Sequence, residues 1–318
     1  MSTVRLMAGM LWCGLMVLGA GVAYGQDFPT KPIRILTGSP GGSADVVSRA
    51  VGDVLTKRFN QTVVVENRPV TAADVVAKAD ADAYTLLLDG GSFWLAPLMQ
   101  QTPYDVVRDY SPVSQVITSI YILVVHPSLP VTNIKELIAL AKAKPGSINY
   151  GTSGVGAAPH LGTEMFNHMA GIKMVHVPYK GSAGVLTALL GGQEIHLAFV
   201  AGTLSMPHVN AGKLRAIGLA NKVPSSLAPG IPLIMESGLP GFEFIQLLAV
   251  FAPAKTPVAR VNLLSQEIRR ALDTKEVKDR LLAIGLEAKG STPQEMAALL
   301  KSEIAKWGKL VKDVGIKG

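Results

Sequence analysis

The sequence predicts an α/β protein with two lobes, and three observations support that prediction. After Asp27, short β-like runs alternate with helical patterns, an order typical of mostly parallel sheets with helices on both faces. The 318 residues are enough for two domains of ordinary size, each with its own core. Two loops rich in glycine and hydroxyl residues, at 39–45 and 150–156, each follow a β-like run and precede a helical pattern.

These two loops are the most informative local feature. The first reads Ser-Pro-Gly-Gly-Ser-Ala-Asp and the second Tyr-Gly-Thr-Ser-Gly-Val-Gly. A strand–loop–helix junction of this kind leaves backbone N–H groups unpaired at a helix start, where the helix dipole favours an anion. The pair predicts a carboxylate held in a cleft between the lobes. Plain turns between strand and helix are the alternative, because such turns use the same residues.

Residues 1–25 have the pattern of a secretory signal peptide. Arg5 precedes an apolar run over 6–22, which ends in Ala-Tyr-Gly at 23–25, and cleavage is expected before Gln26. A membrane anchor is the alternative, but the run is short for a span and the small residues favour removal. The sequence therefore predicts export to the periplasm.

Cysteine content and charge narrow the possible partners. The only cysteine, Cys13, lies in the signal segment, so the mature chain is expected to have neither a disulfide nor a cysteine-ligated metal. The net charge is +7, without a dense basic tract, which argues against nucleic-acid binding. Such a charge suits an anionic ligand or an anionic membrane surface and does not distinguish between them.

Periodicity and start signals give the individual elements. Asp45 is predicted to cap the first helix. Thr292, Pro293 and Glu295 form a capping-box pattern before a long apolar stripe that includes Trp307, which is interpreted as core or lobe packing. The predicted strands are 33–36, 62–65, 85–88, 121–125, 195–199, 216–220 and 247–251, and helices are predicted at 45–59, 134–142, 160–170 and 184–190.

Breaks rich in proline and glycine suggest where the chain crosses between the lobes. They fall at 126–130 and 238–241. Lobe one is therefore predicted to contain residues 26–125 and 245–318, and lobe two residues 126–244.

The enzyme and metal motifs fail on inspection. Gly154 and Gly156 begin a dinucleotide fingerprint, but Pro159 occupies its last glycine position, and no phosphate-binding P-loop occurs. His160 and Glu164 share a helix face, but two ligands without a third do not make a metal site. Neither a cofactor nor a metal is predicted. An exported hydrolase or lyase that uses Ser153 with His160 or His196 is kept as an alternative.

Several motifs separated along the chain together form a recognisable pattern. They are Phe-Pro-Thr-Lys-Pro-Ile-Arg at 28–34, Pro-Gly-Gly-Ser-Ala-Asp at 40–45, Val-Val-Glu-Asn-Arg-Pro at 64–69, the stretch 148–161, His-Val-Pro-Tyr-Lys-Gly at 176–181, Ala-Gly-Lys-Leu-Arg-Ala at 211–216 and Glu-Ile-Ala-Lys-Trp at 303–307. In these motifs the chain resembles the Bug family, the periplasmic solute receptors of tripartite tricarboxylate transporters. The resemblance covers essentially the whole mature chain.

The resemblance implies a type II periplasmic-binding-protein fold whose two lobes close on a small carboxylate. A membrane permease of a tripartite transporter would then receive the ligand, and the receptor is expected to be a monomer. A sensor that presents the liganded state to a signalling receptor is the alternative. By resemblance the ligand is held by backbone amides and hydroxyls of two facing loops, with further residues from the neighbouring motifs: Pro40, Gly41, Gly42 and Ser43; Thr152, Ser153, Gly154 and Gly156; His160 and Tyr179.

Departures from the family pattern bear on the choice of ligand. The stretch after Leu88 contributes Ser92 to the predicted site and adds the aromatic residues Phe93 and Trp94, which would stack on a ring. His196 stands where the family often has an aspartate facing the cleft. The resulting hypothesis is a di- or polycarboxylate without an amine, either aliphatic or aromatic. Ordinary packing of the two aromatic residues between the lobes is the alternative.

Overall fold

A computed structural model describes residues 28–315, in which strands and helices alternate as predicted. The signal-peptide prediction and Cys13 lie outside these residues. The strands are β1 (Ile33–Thr37), β2 (Val63–Asn67), β3 (Thr85–Gly90), β4 (Tyr110–Val125), β5 (Asn149–Thr152), β6 (Val175–Pro178), β7 (Leu197–Ala201), β8 (Arg215–Leu219), β9 (Ile245–Pro253) and β10 (Leu286–Ala288). The helices are α1 (Ser43–Phe59), α2 (Ala72–Ala77), α3 (Gly91–Met99), α4 (Ile134–Ala143), α5 (Ala158–Ala170), α6 (Ser182–Gly191), α7 (Gly202–Asn210), α8 (Val258–Asp273), α9 (Lys275–Leu282) and α10 (Pro293–Val314).

The first lobe is built on the strand order β2-β1-β3-β9-β4, and the second on β6-β5-β7-β4-β8. Within each lobe the strands that precede the glycine-rich loops pair in parallel: β1 with β2 and β3, and β5 with β6 and β7. Parallel strands covered on both faces are expected to be apolar throughout, and Ile33, Ile35 and Leu36 of β1 are indeed buried.

The long strand β4 belongs to both lobes. Its residues 110–120 pair antiparallel with β9, while 121–125 pair antiparallel with β7 and β8. The sheets are therefore mixed rather than parallel throughout, because β9 runs against the parallel strands of the first sheet and β4 runs against those of the second. The predicted lobe limits at 125 and 245 stay a prediction.

The sequence prediction found only the last part of β4. The reason is the polar segment before it, which includes Ser114, Gln115, Thr118 and Ser119 and lacks an apolar strand pattern. All four side chains are buried. Gln115 donates to Thr118 Oγ1 at 3.0 Å, and its own N–H donates to Ser291 Oγ at 2.9 Å. Such bonds make polar side chains tolerable inside a sheet, and no local pattern announces them.

The two predicted helix starts had different outcomes. The capping box at Thr292 and Glu295 is confirmed, with both reciprocal hydrogen bonds formed. The prediction that Asp45 caps the first helix is wrong, because α1 begins at Ser43 with Gly42 as its N-cap residue. Asp45 lies in the first turn, where its carboxylate accepts the N–H of Gly41 at 2.9 Å. It therefore braces the loop before the helix.

Phe244, just before β9, joins the two lobes. Its ring stacks on Tyr121 of β4 at 4.4 Å and meets Trp307 of α10 edge-on at 6.2 Å. On its other side lies Gly162 of α5, where a Cβ atom would be 2.5 Å from the Phe244 ring. Only glycine allows α5 to approach this closely.

Within residues 28–315, no helix is both long enough and apolar enough to cross a bilayer.

Gly162→Ala should lower the free energy of unfolding by about 1–3 kcal/mol, the usual range for overpacking a tight site. The measurement is the urea midpoint of the mature chain. Gly184→Ala in α6 is the matched control, because its Cβ would meet Tyr179 at an ordinary 3.5 Å. The control should be neutral or more stable, since alanine favours helix over glycine. Equal stability of the Gly162 variant and the parent chain would contradict the predicted clash.

Candidate functional site in the cleft between the lobes

A cavity of about 520 Å³ lies between the two lobes. Its walls come from the segments after β1, β3 and β5, from β9, and from α10. The carboxyl ends of strands in open α/β sheets are the usual place for a ligand. The cavity is lined by Gly38, Ser39, Gly42, Ser43, Ala44, Asp89, Gly90, Gly91, Ser92, Trp94, Leu95, Ala96, Met99, Gln100, Val155, Gly156, Ala157, Ala158, Leu161, Phe244, Ile245, Gln246, Leu247, Leu248, Glu303 and Trp307.

The N-termini of α1, α3 and α5 all line this cavity. In the first turns of α1 and α5, the N–H groups of Ser43, Ala44 and Ala158 have no acceptor within residues 28–315. Free N–H groups and the helix dipole together give a helix start a partial positive charge. The cleft therefore attracts an anion without the help of a cationic side chain.

The first predicted loop is only partly in the cavity wall. Gly42 and Ser43 line the cavity, whereas Pro40 and Gly41 do not. The N–H of Gly41 is taken by Asp45, and that of Gly42 donates to the Ser39 carbonyl at 3.2 Å. Gly41 adopts φ +74°, which favours glycine. In this loop the glycines shape the turn. The N–H groups that remain free belong to the next two residues, Ser43 and Ala44.

The second predicted loop behaves similarly. Gly156 lines the cavity, but Thr152, Ser153 and Gly154 do not. Thr152 is fully buried, and its hydroxyl lies 2.6 Å from His176 Nε2. These residues support the loop from behind rather than face the cavity.

His160 and Tyr179 are also placed behind the cleft wall. His160 is buried, and its Nδ1 accepts the N–H of Gly156 at 3.1 Å. The hydroxyl of Tyr179 donates to Glu194 at 2.8 Å. His160 therefore positions a residue of the cavity wall, while Tyr179 is engaged elsewhere.

The structure does not bring His196 to the cleft. Its Nδ1 accepts the N–H of Asn149 at 2.9 Å, and its own N–H donates to the Asn149 carbonyl. Asn149 is the first residue of β5, whereas the cleft lies beyond the last. His196 thus lies at the end of the second sheet opposite the cleft. The hypothesis that it replaces an acid facing the ligand required it to face the cleft, and in this structure it does not.

The residues predicted at the end of β3 have different environments in the structure. Ser92 and Trp94 line the cavity, but Phe93 is 2% exposed and packs among Tyr104, Tyr110 and Phe251. Phe93 is therefore ordinary core, as the alternative interpretation held. Trp94 is buried, and its indole N–H has no acceptor in the described part of the chain.

Several cavity residues were missed from the sequence. Trp307, interpreted as core, lines the cavity as well. Gln246 of β9 also lines it, and its Nε2 donates to Ser43 Oγ at 3.4 Å. Asp89 follows the apolar part of β3, so its place at a strand's carboxyl end was the one signal that could have found it. Gln246 and Trp307 come from segments far along the chain, and no local pattern marks them.

The side chains around the cavity are acidic or neutral. No lysine, arginine or histidine of the described residues lines it, whereas Asp89 and Glu303 do. Glu303 is paired: Lys306 forms an ion pair with it at 2.5 Å, and the indole N–H of Trp307 donates to it at 2.8 Å. Burial raises the pKa of the Asp89 carboxyl above its usual range.

A stack of rings supports the second loop. His160 and His176 lie face to face at 4.1 Å, and Tyr150 continues the stack at 5.0 Å from His176. Burial lowers the pKa of His160, and burial together with the neighbouring His160 ring lowers the pKa of His176 to about 4. Both imidazoles are therefore neutral at pH 7.

The enzyme alternative named Ser153 with His160 or His196. In the described residues Ser153 Oγ hydrogen-bonds to neither histidine, and the two rings accept the N–H groups of Gly156 and Asn149. Within 28–315, no three histidine, cysteine or acidic side chains lie close enough to hold a metal ion.

Comparison with known proteins gives a consistent assignment. Residues 47–316 match the model of the tripartite tricarboxylate transporter family receptor. Protein BugT of Bordetella pertussis is 34% identical over 332 residues, which cover 100% of this chain and 99% of BugT.

Two solved structures are similar in sequence and fold. Rpa4515 of R. palustris, solved with adipate, is 32% identical with a TM-score of 0.76, over 92% of this chain and 99% of that one. MatC from Rhodopseudomonas palustris, solved with bound malate, is 25% identical with a TM-score of 0.72, over 89% of this chain and 100% of that one.

The histidine stack should make stability fall in mild acid. Unfolded histidine titrates near pH 6.5, so the unfolded chain takes up protons before the folded chain does. The stabilisation is present above pH 6.5 and is lost as pH falls toward about 4. Urea midpoints at pH 7 and pH 5 should differ, and His176→Gln should reduce that difference. His168→Asn, at a half-exposed side chain, is the control and should leave it unchanged. An identical pH dependence in the His176 variant would contradict the assignment.

Proposed function

The chain belongs to the tripartite tricarboxylate transporter receptor family, and we propose that its cleft captures a small carboxylate and delivers it to a membrane permease. Members of this family are periplasmic solute-binding receptors. The observation that carries the proposal is the arrangement of helix N-termini around a cavity to which the described part of the chain contributes no cationic side chain. Aligned N–H groups neutralise a carboxylate without a lysine or arginine.

The carboxylate would lie between the lobes. The free N–H groups of Ser43 and Ala44 belong to the first lobe, and that of Ala158 to the second. One anion bridging these donors would stabilise the closed arrangement over an open one, because only the closed form offers both sets. The permease would thus recognise the closed, liganded form.

A di- or polycarboxylate is the ligand class that the relatives favour. Rpa4515 was solved with adipate and MatC with malate. A cavity of about 520 Å³ is within the usual range for small-molecule sites. Trp94, Phe244 and Trp307 give it an apolar wall that would pack against an aliphatic chain or a ring.

Residues 1–25 would be removed on export, and the mature chain would act as a monomer in the periplasm. A receptor that diffuses between the outer surface and a permease needs neither a membrane anchor nor a fixed partner. Expression of the full chain, followed by N-terminal sequencing of the periplasmic fraction, tests the cleavage site before Gln26.

Binding can be tested by a thermal-shift panel of mono-, di- and tricarboxylates, aliphatic and aromatic, each with and without an amino group, on the mature chain. A ligand at 100 times its Kd adds about 2.7 kcal/mol to the free energy of unfolding, which raises Tm by several degrees. We expect a shift with at least one carboxylate class. A flat panel across all carboxylates would contradict the proposed function.

Gly156→Ala should weaken that binding by about tenfold. Gly156 adopts φ +73°, and its Cβ would point at Met99 in the cavity, 3.7 Å away. An L-residue in this conformation costs about 1–2 kcal/mol, so the loop would shift, and 1.4 kcal/mol is tenfold in affinity. Titration calorimetry gives the measurement.

Gly171→Ala is the matched control for this variant. Gly171 ends the same helix, α5, at φ +61°, with nothing within 4 Å of its Cβ position. It should lose similar stability but keep parental affinity. Equal affinity of the Gly156 and Gly171 variants would remove the second loop from the binding site.

A further inference from the structure

Asp89, at the carboxyl end of β3, presents an unpaired carboxylate oxygen in the cleft wall. Its Oδ1 accepts the N–H of Gly90 at 2.7 Å and the hydroxyl of Ser92 at 3.2 Å. Its Oδ2 accepts no hydrogen bond from any residue in 28–315. The side chain lines the cavity, so this oxygen is an acceptor left for a ligand.

The position of this carboxylate is fixed by the sheet. Gly90 packs so closely on β9 that a Cβ there would lie 2.7 Å from Leu248 and 2.9 Å from the Leu247 carbonyl. Gly90 is also paired with Leu248 in the β3–β9 ladder, so the residue whose N–H holds Oδ1 is anchored in the sheet. A group held this rigidly is suited to discriminate between ligands.

The charge of Asp89 has no partner among the cavity-lining residues. Glu303, the other acid in the wall, is neutralised by Lys306, but no lysine, arginine or histidine among residues 28–315 lines the cavity beside Asp89. Burial without a counter-charge raises the pKa of its carboxyl. Buried charges in proteins are normally paired, so the missing partner would come with the ligand.

We infer that Asp89 binds a protonated amine, so that the preferred ligand is a small amino carboxylate. This deepens the proposed function and rests on it. The carboxylate would lie at the N-termini of α1 and α5, and the ammonium group at Asp89 Oδ2. The sequence hypothesis of an amine-free ligand depended on His196 facing the cleft, and His196 lies at the far end of the second sheet.

The third helix N-terminus agrees with this assignment. Asp89 lies at the start of α3 and takes up hydrogen bonds from Gly90 and Ser92, so its charge offsets the dipole of that helix. A second ligand carboxylate directed at α3 would meet Asp89 first and be repelled. An ammonium group directed there would form a charge-assisted hydrogen bond.

The test is titration calorimetry with ligand pairs that differ by the amine: alanine and propionate, aspartate and succinate, glutamate and glutarate, phenylalanine and 3-phenylpropionate. For the pair that fits the cavity, the parent chain should bind the amino acid at least tenfold more tightly than its amine-free partner. Asp89→Asn should lower this preference at least tenfold. Asparagine keeps the Oδ1 acceptor for Gly90 and Ser92, so the loop should stay folded, which the Tm without ligand checks.

Asp279→Asn is the control, because it removes the same charge from an exposed side chain of α9. It should leave the preference unchanged. Equal or tighter binding of the amine-free partner by the parent chain would overturn the inference while the proposed function stands. A second result would also overturn the inference: succinate affinity that falls with rising pH in the parent chain but does not fall in Asp89→Asn. Asp89 would then act as a protonated donor to the ligand. Failure of every carboxylate in the wider panel would instead overturn the proposed function itself.

Discussion

The antiparallel pairing of β4 with β9 is the constraint on which the rest of the molecule depends. β4 is 16 residues long, and its two halves lie in different sheets, so both lobes are built on one continuous strand. Its pairing with β9 continues to Ile120 and Ile245, the point at which the chain returns from the second lobe. The hydrogen-bonded ladder therefore fixes where the cleft walls meet. Phe244, stacked on Tyr121 and pressed against Gly162, fills the junction.

The cleft that results presents backbone donors of the kind that suit an anion. Strands β1 and β3 of the first sheet and β5 of the second each end at the cavity, and each leads into a helix whose N-terminus faces it. Backbone N–H groups do not titrate near neutral pH, and they are held by the helices that carry them. Such a site can accept a carboxylate while its side chains remain free to discriminate among the other groups of the ligand. Here those side chains include an acid, Asp89, rather than a base.

Many polar side chains near the two loops hydrogen-bond to loop residues and act on the cavity only through them. Asp45 holds Gly41 and accepts a hydrogen bond from Asn67 at 2.9 Å, so the first loop is tied to β2. His160 holds Gly156, and His176 holds Thr152, so the second loop is tied to α5 and β6. These contacts fix the loops in place, which is what a site built from backbone donors requires. Residues that look like binding or catalytic groups in the sequence are thereby used as supports.

The sequence by itself determined the α/β class, most element positions, the family and the two glycine-rich loops. These properties depend on local periodicity, on turn residues and on motifs that are contiguous in the chain. It did not determine which residues of the loops face the cavity, since no sequence pattern separates Ser43 and Gly156, which line it, from Gly41 and Thr152, which do not. Tertiary structure alone placed His196 at the far end of its sheet, buried Phe93 among aromatic rings, and brought Gln246 and Trp307 to the cleft. The physical reason is that a ligand site is assembled from strand ends that are distant in sequence, and sheet pairing, rather than any local pattern, decides which of them meet.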